Sequence, residues 1–164
     1  MTHRPEILGS HHIVAGGRHY SVAAGSRIAA MGGNAFDAGV ATVFAAAVVE
    51  ISHFGFGGEA PTILYVAKEG RVVVINGQGP APLDAHPGMF AAKGTVDTNG
   101  PLAATIPAVL DAMAIILRRF GTMRLEQVMG PAIELADGFP LYQFLRQHLI
   151  VHREATERWQ ASRA

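Results

Sequence analysis

The 164-residue sequence contains no cysteine. Disulfide frameworks, thiolate zinc sites and a cysteine nucleophile are therefore excluded, while the redox compartment stays open. Charge is sparse: 16% of residues are Asp, Glu, Lys or Arg, and the 13 acidic residues cancel the 13 basic ones. With no net positive charge and no basic stripe, nothing favours nucleic-acid binding. Long apolar runs are missing as well. The longest stretch of small apolar residues, Val40 to Val49, falls short of the roughly 20 residues a membrane span needs. Met1 to Pro5 is polar and no apolar run follows it. A secretory signal is not expected, and a cytoplasmic location is the default.

What the chain has is apolar bulk and glycine. Hydrophobic residues make up 49% of it, enough to fill the core of one domain and too many for a disordered chain. The 19 glycines cluster at Gly16-Gly17, Gly32-Gly33, Gly55 to Gly58 and Gly77 to Gly79. Each cluster separates periodic segments, which suits turns and close backbone approaches.

Ser21 to Met31 reads as a helix stopped by Gly32-Gly33. Asn34 then has the chemistry of an N-cap, with Asp37 in the first turn of a second helix. Ala35 to Val49 is apolar or small on every side, so that helix must be buried on every side. Thr62 to Ala67 and Arg71 to Asn76 are rich in β-formers, and Lys68-Glu69-Gly70 joins them as a hairpin. Asp84 to Lys93 predicts a short helix opened by Pro87. Ala108 to Phe120 predicts an amphipathic helix, with Pro107 near its first turn. Glu126 to Asp137 and Leu141 to Trp159 predict two more, the first interrupted or restarted at Pro131. Strands and helices come in blocks, so the fold class is α+β. Two strands cannot cover so apolar a helix, which suggests part of a larger layered fold.

Four segments carry a resemblance. Met31 to Ala38 is similar to the "GGNAxDAAVA" helix junction of the γ-glutamyltransferase family, and Gly55 to Ala60 to its glycine loop before a strand. Gly100 to Leu110 resembles the family's proline-centred "AVPGxVAGL" segment. Phe120-Gly121-Thr122, with Pro131 to Ala136 and Gly138 to Pro140, resembles its "RYGT…PAIELAxxGFP" stretch. The order is conserved from about His12 to Pro140. Residues 1–164 are thus read as an incomplete portion of the family's large subunit.

The resemblance implies an αββα N-terminal-nucleophile hydrolase fold, made as a precursor that cuts itself. The threonine exposed at the new N-terminus of the small subunit attacks an amide carbonyl, with its own α-amine as base. Neither metal nor external cofactor is implied. The implied partners are a small amide or γ-glutamyl-type substrate, the small subunit of the same precursor, and a second processed heterodimer. None of the eight threonines stands in the family's processing context. Thr105, beside Pro107, comes nearest and aligns with a structural segment. No catalytic residue is assigned, and the chain alone is expected to be inactive.

The segment after the second strand bears on substrate. Where glutathione-cleaving members carry an arginine that grips the substrate α-carboxylate, the alignment puts Gln78, within Asn76 to Pro82. A neutral amide cannot form the bidentate charged pair of a guanidinium, yet it both donates and accepts hydrogen bonds. Gln78 is the candidate substrate-binding residue, and the pattern leans toward the family's amidohydrolase and acylase branch. True γ-glutamyl transfer and a non-catalytic scaffold are the alternatives.

Other candidates are weaker. Glu59 suits a site acid or a simple ion pair. The Gly55 to Gly58 run follows a helix and leads into a strand, the reverse of a dinucleotide fingerprint. His148 and His152 stand at i,i+4 spacing without an acidic partner, which favours a helix face over a metal site. His53 precedes the glycine loop and suits a site or a structural role. His11-His12 has no evident partner.

Overall fold

The computed structural model describes residues 6–91, 94–96 and 100–163. The helices begin with α1 (His19–Ala30) and α2 (Ala35–Val49), which pack together as a hairpin. α1 starts two residues before the expected Ser21. It stops where anticipated, at Gly32, whose φ of +94° lies in the left-handed region. α2 opens on the expected cap: the Asn34 side chain accepts from the Phe36 and Asp37 amides at 2.8 and 3.0 Å. The Asn34 amide in turn donates to Asp37 Oδ2 at 2.9 Å, closing a capping box.

The apolar surface of α2 is covered by α1, α4 (Val109–Phe120) and α5 (Leu125–Ala136). Phe44, Val40 and Val49 are fully buried, while Phe36, Val43 and Val48 pack partly against the core. Gly39 stays exposed, so burial is extensive without reaching every side. α4 is amphipathic as expected, burying Val109, Ala112, Met113, Ile116 and Leu117. α5 runs unbroken through Pro131, against the expected interruption. The ring sits buried on the core side, and the helix forgoes one backbone bond there.

β1 (Thr62–Val66) and β2 (Arg71–Ile75) form the expected antiparallel hairpin, with Ile63 opposite Val74 and Tyr65 opposite Val72. Val66, Val73 and Ile75 point into the helical core. The opposite face presents Ile63, Tyr65, Val72 and Val74, each 61–77% exposed. A sheet apolar on both faces is built to be covered on both.

α3 (Gly88–Ala91) follows Pro87; the expected extension to Lys93 falls outside the described residues. The last helical stretch, read as one helix over Leu141 to Trp159, is two: α6 (Gln143–Val151) and α7 (Arg153–Glu157). The break is at His152, just after β-branched Ile150-Val151. α6 buries only Leu145. It is fastened at its start, where Tyr142 Oη donates to the Val49 carbonyl at 2.9 Å and Tyr20 Oη to that of Pro140 at 2.9 Å.

The architecture is α+β, helix-rich, with one two-stranded sheet among the described residues. Among the same residues, no helix is long and apolar enough to cross a membrane.

Candidate functional site

Three loops meet at one end of the hairpin. The glycine loop before β1 meets the Asn76 to Pro82 loop where the Ala60 amide donates to the Gly77 carbonyl at 2.9 Å. The Asn76 to Pro82 loop meets the segment before α4 where the Ile106 amide donates to the Pro80 carbonyl at 3.0 Å. The triangle closes through Gly58, whose carbonyl accepts from the Ala108 and Val109 amides at 3.1 and 3.3 Å. Gly58 thereby satisfies amides at the start of α4 that no helical carbonyl reaches.

The approach is close enough to require glycine twice. Gly77 has φ +53°, and a β-carbon there would overlap the Ala60 carbonyl. A β-carbon on buried Gly79 would overlap the Ile106 carbonyl oxygen. Between these two fixed points Gln78 projects into solvent. Gly79→Ala should destabilise the chain by about 1–3 kcal/mol, as overpacking does. Gly39→Ala, on the open side of α2 with nothing within 4 Å, should stabilise by about 0.5–1 kcal/mol. Urea unfolding of the two variants checks the opposite signs.

A second focus is structural. Asp37 is fully buried and gathers the turn after α4. Its carboxylate accepts from the Thr122 amide at 3.1 Å, the Thr122 hydroxyl at 2.7 Å and the Met123 amide at 3.2 Å. Asn34 Nδ2 donates to the Phe120 carbonyl at 2.7 Å. Two of the motif segments quoted above are thus stitched together by one carboxylate. This function of Asp37 was missed from sequence. The available signal was an acid at N3 of a helix too apolar to leave it in water.

The remaining candidates separate. Exposed Glu59 lines a depression of about 360 Å³ with Ile51, His53, Phe54 and Gly58, so it borders the three-loop junction through Gly58 while Gln78 is not among the lining residues. Thr105 adjoins the bonded Ile106, and its nitrogen lies within a peptide bond, so it has no free α-amine to act as base. His148 and His152 are brought together, with ring centroids 4.3 Å apart. Among the described residues, no group of three His, Cys, Asp or Glu is placed to hold a metal ion. His11 and His12 line a groove beside α1 and α2.

A family model described as Gamma-glutamyltranspeptidase matches residues 21–163. The chain belongs to this family. Among curated members of the γ-glutamyltranspeptidase family, the glutathione hydrolase proenzyme of Bacillus subtilis is 31% identical over 137 residues, 76% of this chain and 22% of the relative. The acylase ACY 1 proenzyme of Pseudomonas sp. strain V22 is 35% identical over 124 residues, again covering 22% of the relative. The solved γ-glutamyltranspeptidase of Helicobacter pylori superposes with a TM-score of 0.89 at 30% identity, over 96% of this chain and 47% of that one. The chain spans about a fifth of the length of the curated relatives it matches.

Proposed function

We propose that this chain is part of the large subunit of a self-processing amide hydrolase or acyltransferase, and that Gln78 contacts the acyl group. The observation that carries this reading is the clamped turn. Gly77 and Gly79 are each pinned against another loop, so the backbone presents Gln78 at a set position while its side chain stays available. Loop bonding alone gives no reason to hold an exposed amide so firmly.

The nucleophile in this reading is an N-terminal threonine outside the 164 residues. Its hydroxyl oxygen bonds to the substrate carbonyl carbon as the proton passes to the α-amine. The departing amine takes that proton, and water or a second amine then releases the acyl group. Gln78 supplies a neutral donor and acceptor, which suits a polar acyl group with no carboxylate at that point. The bare outer face of the β1–β2 hairpin supports a second sheet packed upon it, the αββα layering, with the small subunit as the partner.

In the complete processed enzyme, Gln78→Ala should lower kcat/KM on the native acyl class roughly 5–10-fold, the worth of one hydrogen bond. Gln78→Arg should shift preference toward a γ-glutamyl anilide, over its counterpart lacking the α-carboxylate, by roughly 10–100-fold. Unchanged kcat/KM in both variants would remove Gln78 from the site.

A further inference from the structure

Three of the eight histidines meet where the loop after α2 faces α6. His152 sits at the C-terminal cap of α6, its ring 4.3 Å from that of His148. The His53 ring comes from the loop, 6.2 Å from His148, and stacks on Phe144 at 5.5 Å. Phe144 also faces His148 at 6.5 Å. Sequence spacing paired two of these histidines, and the fold adds the third. Among the described residues, no group of three His, Cys, Asp or Glu is placed to hold a metal ion. Imidazole side chains as a class gain protons near neutral pH.

We propose that His53, His148 and His152 form an acid-released clasp that holds α6 and α7 against the loop after α2.

Neutral imidazoles pack on one another and on Phe144 much as apolar rings do. Protonation turns the same contacts into like charges a few ångströms apart. The C-terminal end of α6, where His148 and His152 stand, offsets part of this repulsion. The Arg18 guanidinium lies 5.1 Å from the Phe144 ring and 4.6 Å from Tyr142, adding permanent positive charge. Glu50, at the end of α2, accepts from the Ser21 hydroxyl at 3.0 Å, a bond that leaves its charge in place to offset part of that of Arg18. On α7, Arg153 and Glu157 neutralise each other at 2.6 Å. Glu59 is the acid that shares a surface depression with His53. His53 itself is bonded through Nδ1 to the Ser52 hydroxyl at 2.8 Å.

Burial first, then His152 and His53, hold the His148 imidazole below its ordinary value. The sign follows directly. The docked state binds the proton less well than the released state. Docking is therefore complete above the unperturbed histidine value of about 6.5 and is lost as the pH falls from there through the lower docked value. The fastening at Tyr142 and Leu145 lies at the start of α6, so it serves as the hinge.

Trp159 reports the motion. It is the single tryptophan, and its ring lies so close to Gly100 that a β-carbon there would come within 2.7 Å. In the 164-residue chain at sub-micromolar concentration, Trp159 emission should shift between pH 7 and pH 5, while most of the far-ultraviolet helix signal survives. The double variant His53→Gln, His148→Gln should lose this transition. Nuclear magnetic resonance titration of the His148 ring in the unaltered chain should follow the emission change. No emission change above pH 5, an unaltered midpoint in the double variant, or His148 titrating in a separate interval would each overturn the clasp. Loss of all helix signal at the same pH would do so too, in favour of global acid unfolding.

Discussion

Asp37→Ala should destabilise the chain by about 3–5 kcal/mol. The carboxylate receives the Asn34, Thr122 and Met123 amides and the Thr122 hydroxyl, and each part-buried donor left without a partner costs about 1–3 kcal/mol. Water entering the gap recovers some of that sum. For a domain whose whole stability is about 5–15 kcal/mol, the loss is severe, equivalent to a fall in Tm of roughly 6–20 °C. Asp37→Asn keeps the size and one acceptor but turns an N–H₂ toward other donors, so it should fall between. Thermal melts followed by circular dichroism decide the matter. A melting point for Asp37→Ala within about 2 °C of the parent would mean that the network is not what ties α2 to the turn after α4.

The second large effect concerns the bare sheet face. Ile63, Tyr65, Val72 and Val74 keep 61–77% of their surface in water. Covering that remainder at about 1.5–3 kcal/mol per full side chain is worth roughly 4–8 kcal/mol. Association of separate chains costs about as much in lost freedom, so the isolated chain should self-associate as concentration rises. Tyr65→Lys with Val72→Lys places two charges opposite each other at a registered pair. Face-to-face packing would bury both, and that variant should sediment as a monomer. A parent chain that stays monomeric and unfolds cooperatively at high concentration would show that the face needs no cover.

The features legible in sequence were those whose cause is local. The hairpin, the Gly32 stop and the Asn34 cap each depend on a handful of adjacent residues, and all appear where expected. Asp37 was legible as a cap and illegible as a hub, because its partners Thr122 and Met123 lie 85 and 86 residues away. The division of the last helix at His152 was hidden for a related reason. Helical periodicity continues across it, and only the docking of Phe144 and His148 on the loop shows how α6 is held. Gly77 and Gly79 stood out by type, but their necessity comes from the Ala60 and Ile106 carbonyls, which no spacing rule brings near. Gln78 came from alignment with a family motif, and the structure explains why that position is steady.

The separation between Asp37 and Thr122 also sets a delay. A ribosome adding about 5–20 residues per second takes roughly 4–17 s to cover those 85 positions. Throughout that interval α2, the most apolar helix of the chain, has left the exit tunnel without the turn that anchors its start or the α4 and α5 surfaces that cover it. Only α1 and, later in the interval, the β1–β2 hairpin are present to shield it. The nascent chain thus spends seconds with an apolar helical hairpin only partly covered.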